Sequence, residues 1–467
     1  MEKYNWLKLD TPSIMFTSLT TRTWGRTFRF SAILKEDIDP VYLERSAKDL
    51  MPFFPNAYSC LRKGFFWNYL EVCDTMPEIR EEYSKPLMPI TFMYDGRPQF
   101  RIVYYKKRIA IECAHSMGDG KGVLRFFSEF IKRYLYLRDG GTDAYSYKYG
   151  IDEITENAFG RYYLKDGEKK KEKEVKAFHL EEKFEKDYLR MIFALMTVDS
   201  VKKCAHNRNM TVTEFMSAVL ILGIIRSQDK GINEPVTIGI PVNLRRFFPT
   251  QTLRNFVIEA SVTFEPKGRK DITLDEICEK TKGQLKKQLE KSELQKSINK
   301  FGALSSNPVL KIVPNAVKLP VLRVLQKKTH KNLTTIFTNW GDCDLPDELY
   351  GRVERLNFVN GDTRNYGLAS TCSCISTNGI LNLCFSVANR DTRWQKECIG
   401  ILLEEGITDI QLESTDSIDF GDIKHENRFS FNPYRNGENE ETLPIEPIKK
   451  KSGHNREKLE AFFYTDI

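Results

Sequence analysis

The stretch Ile109 to Phe130, IAIECAHSMGDGKGVLRFFSEF, decides the reading of this chain. Ile109-Ala110-Ile111 is an apolar run of the kind that forms a buried strand. His115 follows, then Gly118-Asp119-Gly120, then Val123, Leu124, Phe126, Phe127 and Phe130 at helical spacing. The pattern predicts a strand, a tight corner and an amphipathic helix reaching about Tyr136. The corner lifts His115 off the strand end. Asp119 falls where the helix begins, and a carboxylate suits that positive end. Gly118 and Gly120 are expected to allow a backbone path that side chains would block.

Working outward toward the N-terminus, Arg108 to Cys113, Phe100 to Tyr105 and Ile90 to Tyr94 read as a meander, with Asp95-Gly96 as a turn. Further back, Thr27 to Leu34 alternates like a strand, and Asp39-Pro40 opens a helix ending near Leu50. Tyr58 to Leu61 and Phe65 to Val72 read as short strands. Beyond the central helix, Gly140-Gly141 breaks the pattern, and Ala144 to Glu185 is polar, with Lys169 to Lys173 a solvated charge run. The expected division is an N-terminal lobe over 1–150, a polar linker over 151–188, a C-terminal lobe over 189–415 and a polar tail over 416–467. In the second lobe, Arg190 to Val198, Glu234 to Arg246, Asn255 to Phe264, Leu333 to Phe337 and Arg355 to Val359 read as strands. Tyr366 to Ser376 and Ile380 to Ala388 read as a hairpin turned at Asn378-Gly379. Thr211-Val-Thr-Glu214 is a capping box opening an apolar helix to Arg226. Leu274 to about Ala303 predicts one long charged helix, and Arg393 to Glu405 a closing one.

Composition narrows the function classes. Hydrophobic residues are 41% and aromatics 12% of 467, which favours ordered lobes over disorder. The net charge of +7 is a small excess of 71 basic over 64 acidic residues, so it does not call for a nucleic acid. The lysines of 169–176 and 286–300 are interspersed with glutamates and read as solvated faces rather than a nucleic-acid surface. No apolar run reaches the roughly 20 residues of a membrane span, and the N-terminal MEKYNWLKLDTPSIMF has no apolar signal core. The expected location is the cytoplasm, with the ten cysteines reduced and no disulfide framework. His115 and Asp119 are only two potential ligands, so no metal is expected. No Gly-x-Ser-x-Gly elbow and no Walker-type loop occur, leaving serine-hydrolase and P-loop readings without support.

Three strand-end segments hold polar residues that a core does not need: His115 to Gly120, Pro241 to Arg246 and Thr338 to Gly341. His-x-x-x-Asp-Gly over 115–120 resembles the signature of the CoA-dependent acyltransferase superfamily. That superfamily includes chloramphenicol acetyltransferase, alcohol acetyltransferases, plant BAHD enzymes and the condensation domains of peptide synthetases. Pro241-Val-Asn243-Leu-Arg245, followed by Arg254-Asn255-Phe256, resembles its second landmark, and Thr338-Asn339-Trp340-Gly341 its third. The similarity spans roughly Lys8 to Thr415 and is nearest to bacterial alcohol-acetyltransferase-like proteins. Ala114 stands where condensation domains carry a second histidine, and the plant Asp-Phe-Gly-Trp-Gly element is absent.

The resemblance implies an α/β fold: two chloramphenicol-acetyltransferase-like lobes, each a mixed sheet flanked by helices, with the active-site channel between them. It implies transfer of an acyl group, expected to be acetyl, from CoA to a small-molecule alcohol, with an amine as the other acceptor. Condensation-type N-acyl transfer and a non-catalytic binding module on the same fold are the alternatives. A monomer is the expected state. His115 is the expected general base, because an imidazole with a reference pKa of about 6.5 takes a hydroxyl proton near neutral pH. The thioester is already activated, so no covalent protein intermediate is needed. Asp119 is spaced like a direct catalytic partner of His115. The resemblance implies instead that it pairs with an arginine, Arg245 being the match, and a helix N-cap role is compatible with either. Gly120 supports the catalytic loop, either as a turn or by letting the acyl-thioester arm approach. Thr338 and Asn339 are candidate donors to an oxyanion or to the substrate arm, or else a strand-ending turn. Asn243 and Asn255 are read as loop-bracing amides at least as readily as ligand contacts.

Overall fold

The apolar run before His115 is an inner strand of a five-stranded sheet in the computed structural model. The structure describes residues 6–19, 27–82, 86–87, 96–170, 176–180, 189–343, 345–361, 368, 370–414 and 443–444, the side chains of 309, 325–330 and 443–444 apart. The first half runs β1 (Trp6–Lys8), α1 (Thr11–Leu19), β2 (Thr27–Leu34), α2 (Pro40–Leu50), β3 (Ser59–Arg62), β4 (Tyr69–Val72), β5 (Glu78–Glu81), β6 (Phe100–Tyr105), β7 (Arg108–Ala114) and α3 (Gly120–Arg138). Two short helices follow, α4 (Ile151–Thr155) and α5 (Ala158–Tyr162). Then come β8 (Arg190–Thr197), α6 (Val198–Asn207), α7 (Val212–Ser227), β9 (Val236–Asn243), β10 (Val257–Phe264), α8 (Leu274–Thr281), α9 (Gln284–Gln288), α10 (Lys291–Ser306), α11 (Pro308–Ile312) and α12 (Asn315–His330). The chain closes with β11 (Thr335–Asp342), β12 (Val353–Val359), β13 (Ser370–Thr377), β14 (Ile380–Val387), α13 (Arg393–Glu404), β15 (Gln411–Ser414) and β16 (Leu443–Pro444).

Among the described residues the strands form three sheets. The five-stranded sheet has the order β12-β2-β7-β6-β5, the eight-stranded one β10-β9-β11-β13-β14-β8-β15-β16, and a small one β1-β4-β3. Parallel pairs β5–β6, β9–β11 and β11–β13 sit among antiparallel ones, so the large sheets are mixed. The five-stranded sheet draws its edge strand β12 from the second half of the chain: Phe358 lies opposite Phe30 and Asn357 opposite Ser31.

Each large sheet is covered by the helix its sequence predicts. Phe126, Phe127 and Phe130 of α3 are buried with Leu43 and Leu50 of α2 against the five-stranded sheet. In the second lobe α7 is apolar on every side and is buried on nearly every side. Its capping box forms, with Glu214 N donating to Thr211 Oγ1 at 3.2 Å and Thr211 N donating to Glu214 Oε2 at 3.0 Å. Trp394 of α13 donates its indole N–H to Leu220 O at 3.1 Å. Among the described residues no single helix is long and apolar enough to cross a membrane.

Four local expectations are corrected. The long helix over 274–303 is three helices: Gly283 adopts φ +77° and turns the chain between α8 and α9, and Glu290, with ψ 135°, leaves helical backbone between α9 and α10. The strand expected from Phe65 begins only at Tyr69, because Gly64, Phe65 and Phe66 give their carbonyls to Asn315 and Lys318 rather than to a neighbouring strand. Thr338 to Gly341 is not a turn after a strand: it lies inside β11, which bulges between Asn339 and Asp342, with Gly341 at φ +66°. The stretch read as a solvated linker contains α4 and α5, with Ile154 and Phe159 buried. The hairpin at Asn378-Gly379 is present, with both residues at positive φ as a type I′ turn needs. The expected strand Ile90 to Tyr94 and most of the tail lie outside the described residues.

The outer half of the five-stranded sheet encloses a charge cluster. Arg29 donates to Glu82 at 2.6 Å and to Glu112 at 2.8 Å, while Arg101 and Arg108 bond to Glu112 and Glu82. Burial alone pushes the Glu82 carboxyl up, but the Arg29 and Arg108 guanidinium groups overcome it and hold the carboxyl down at about 2, from 4.5. A carboxylate with a lowered folded-state pKa adds stability above its unfolded pKa and loses it as the pH falls toward the folded one. Urea midpoints are therefore expected to drop as the pH is lowered from about 4.5 to about 2. Glu82→Gln should be less stable at neutral pH yet flatter across that window. Equal slopes in the two proteins would remove Glu82 from this role.

Candidate active site

His115 is the first residue past β7, at the point where the strand leaves its sheet and before Asp119 caps α3. The imidazole is held on three sides. Phe16 of α1 lies against it with ring centroids 4.2 Å apart, and Phe28 of β2 at 5.0 Å. Its Nδ1 is 3.1 Å from Asn255 Oδ1. The Asn255 amide is oriented by its own partners: Nδ2 donates to His115 O at 2.9 Å and to Ser13 Oγ at 3.0 Å. Oxygen therefore faces the imidazole, so Nδ1 carries the proton and Nε2 is the basic nitrogen. Asp10 sits beneath this contact, accepting from Asn255 N at 3.2 Å and from Ser13 N at 2.7 Å.

The Asp119 carboxylate is directed elsewhere. Oδ1 accepts from Gly122 N at 3.0 Å, which caps α3. Oδ2 accepts from Arg245 Nη1 at 2.8 Å and from Phe256 N at 2.7 Å. Arg245 in turn donates to Thr252 O at 3.0 Å and Arg254 O at 2.6 Å. Asp119 and Arg245 are both buried, and together they tie the His115 corner to the 243–256 segment.

The glycines of the corner answer to distant residues. None of Gly118, Gly120 and Gly122 has a positive φ. A Cβ on Gly118 would meet Leu253 O at 2.2 Å, and one on Gly122 would meet it at 1.9 Å. A Cβ on Gly120 would lie 2.2 Å from the Trp340 ring. The expectation that Gly118 and Gly120 serve turn geometry is corrected: side chains are excluded by backbone and indole packed from the other lobe.

Thr338 and Asn339 point their polar groups at protein partners. Thr338 Oγ1 donates to Asn360 Oδ1 at 3.2 Å. Asn339 Nδ2 donates to Thr213 Oγ1 at 2.9 Å, and its Oδ1 accepts from Gly341 N at 2.8 Å, bracing the bulge. His115, Asp119, Gly120, Arg245, Thr338 and Asn339 all border a cavity of about 1350 Å³. Lys121, Arg125, Arg246, Lys282 and Lys286 stand on its wall. Among the described residues no cluster of three or more His, Cys, Asp or Glu is arranged to hold a metal. The sequence offers Asn255 as a loop brace or a ligand contact, not as a partner of His115, and it does not single out Asp10 or Ser13. They come from the N-terminus and from a loop about 240 residues away, and no local pattern links them.

No family model matches the sequence, and no curated protein matches it. Solved structures do. Polyketide synthase associated protein 5 from Mycobacterium tuberculosis aligns over 85% of this chain and 97% of its own, at 12% identity and a TM-score of 0.56. The epimerization domain from the third module of tyrocidine synthetase B aligns over 86% of this chain and 96% of its own, at 11% identity and 0.56. F. graminearum TRI101, complexed with coenzyme A and deoxynivalenol, aligns over 84% of this chain and 98% of its own, at 10% identity and 0.56. The chain shares the two-lobed, mixed α/β fold of these acetyltransferase and condensation-type neighbours. The likeness is one of fold, and it spans nearly the whole length of each of these neighbours.

Proposed function

We propose that this chain is an acyl-CoA-dependent O-acyltransferase that moves a short acyl group, expected to be acetyl, from CoA to a small-molecule alcohol. The observation that carries the reading is the His115–Asn255 contact on the wall of a large cavity, which leaves Nε2 as the base. In the reaction Nε2 takes the hydroxyl proton of the acceptor as its oxygen attacks the thioester carbonyl carbon. The tetrahedral intermediate collapses with cleavage of the C–S bond, and His115 returns the proton to the CoA thiolate. Thr338, by rotating its hydroxyl away from Asn360, is the donor for the oxyanion. Asn339, engaged by Thr213 and Gly341, shapes the strand beneath. Lys282, Lys286 and Arg246 on the wall suit the phosphates of CoA. Coenzyme A bound to a neighbour of the same fold supports this donor. The working compartment proposed is the cytoplasm, and the working unit the monomer.

The test is thiol release from acetyl-CoA and longer acyl-CoAs against a panel of alcohols and amines. Acceptor-dependent release supports the reading. Release with amines alone would favour N-acyl transfer, and none with any donor a binding module.

In this assay Asn255 behaves as a positioning residue. Asn255→Leu removes the acceptor for the Nδ1 proton and is expected to lower kcat by up to ~10²-fold with little change in KM. Asn255→Asp restores an acceptor and recovers part of the rate. Its carboxylate favours the imidazolium, so the acid limb of the pH–rate profile moves to higher pH. An Asn255→Asp profile superimposable on wild type would show that this contact does not set the state of His115.

A further inference from the structure

One face of the second lobe combines exposed apolar side chains with a long absence of acid. On α12, Val317, Val321 and Val324 fall on one side and are each more than half exposed. Ile312 at the end of α11 is 70% exposed. Beside them the tip of the 63–68 loop presents Phe65, 72% exposed, and Phe66. These residues form a patch because the loop is fastened to α12. Asn315 N donates to Phe65 O at 2.8 Å, Asn315 Nδ2 donates to Gly64 O at 2.8 Å, and Lys318 Nζ donates to Phe66 O. Lys318 is buried, with its ammonium 3.1 Å from the centre of the Trp67 ring. A buried cation is costly to keep, and here it holds a loop so that two phenylalanines face solvent. Isolated exposed apolar residues are ordinary, whereas a contiguous, braced set marks a contact surface.

Charge identifies the occupant. Between Glu293 and Asp342 the chain carries eight Lys or Arg and no Asp or Glu, in a protein where about one residue in seven is acidic. Lys311 and Lys331 are exposed at the two ends of the α11–α12 segment, and α12 runs through the sequence Lys327-Lys328. Lys63 precedes the aromatic tip, next to Arg62, which is paired with Glu71 at 2.6 Å. Valines and phenylalanines that enter an acyl boundary, with the exposed Lys311 and Lys331 at either end of the segment to meet anionic headgroups, are the two components of interfacial binding. A nucleic acid would have no use for the apolar stripe.

We propose that α11, α12 and the 63–68 loop form a docking surface for an anionic lipid bilayer. The inner face of α12 packs on α1, and Arg323 Nε donates to Ser18 O at 2.6 Å. Because α1 also carries Phe16 against His115, the docked face is joined to the cavity through a single helix. The docking surface stands whether or not the acyl-transfer reading does.

The experiment is co-sedimentation of the full chain with vesicles of phosphatidylcholine and phosphatidylserine in equal parts, beside pure phosphatidylcholine vesicles, at low and high salt. Binding is expected to the mixed vesicles, weakened by salt and by pure phosphatidylcholine. Phe65→Ser/Phe66→Ser and Val317→Ser/Val321→Ser are expected to lower partitioning about tenfold or more. Lys311→Glu should reduce it with the apolar residues intact. All these positions are exposed, and unchanged melting curves would show that the variants remain folded. Failure to bind mixed vesicles, equal binding to neutral ones, or equal binding by the variants would overturn the proposal. A concentration-dependent dimer abolished by Phe65→Ser would assign the face to a second copy of the chain instead.

Discussion

His115→Ala is expected to lower acceptor-dependent thiol release by ~10²–10⁴-fold, if the chemical step limits the rate. The range follows from what is removed. Without a base, the attacking oxygen must lose its proton to water, or attack while still protonated. Binding should survive, because the imidazole occupies a small part of a cavity of about 1350 Å³ and its loss leaves the Lys282 and Lys286 wall intact. The fall should therefore be in kcat more than in KM for acyl-CoA. His115→Gln keeps a polar group at the same place and should be as slow as alanine, since an amide cannot take the proton. Equal release by wild type and His115→Ala would remove the base from its role. Equal KM with a collapsed kcat would place it in the chemistry.

The second large effect is expected at the Asp119–Arg245 pair. Both side chains are buried and carry further bonds, to Gly122 N and Phe256 N on one side and to Thr252 O and Arg254 O on the other. Such a pair taken whole adds little to stability, but removing one partner strands the other charge away from water. Asp119→Ala and Arg245→Ala should each cost about 3–5 kcal/mol in unfolding free energy. Each should also lower the rate, because the corner that presents His115 is held from one side by this contact. The reversed pair, Asp119→Arg with Arg245→Asp, should recover only part of the loss. An arginine at 119 can neither cap α3 nor accept from Phe256 N. If Asp119→Asn and Arg245→Gln were each as stable and as active as wild type, the pair would have no such function.

The strand–corner–helix around His115 was legible because hydrophobic period, glycine spacing and a capping carboxylate lie within about twenty residues. The same holds for the capping box at Thr211 and the hairpin at Asn378-Gly379. Whatever depended on a remote partner was not legible. The glycines of the corner suggested a turn, yet their reason is Leu253 O and the Trp340 ring, supplied from the other lobe. Thr338 to Gly341 carries turn-like residues, but Thr338 and Asn339 pair with Ser373 and Cys374 of β13 and the ladder resumes at Asp342, so the strand runs on through a bulge instead of turning. The helix over 274–303 kept its amphipathic period through Gly283, and only the αL backbone there reveals the break. Asn255 was visible as part of a landmark. Its role rests on an amide whose orientation is fixed by Ser13 and the His115 carbonyl, and no spacing encodes that.

The edge strand β12 has a consequence for how the protein is made. The sheet that ends in His115 receives Val353–Val359 beside β2, more than 300 residues after β2 is synthesised. On the ribosome, at about 5–20 residues per second, β2 waits many seconds with an unpaired edge. Its sequence there, TFRFSAIL, pairs readily with foreign strands while uncovered. The first lobe is therefore not a unit that folds as it emerges, and chain ending before Val353 should engage chaperones or aggregate. Expressing the lobes as separate genes should give insoluble first halves unless a peptide spanning β12 is supplied with them.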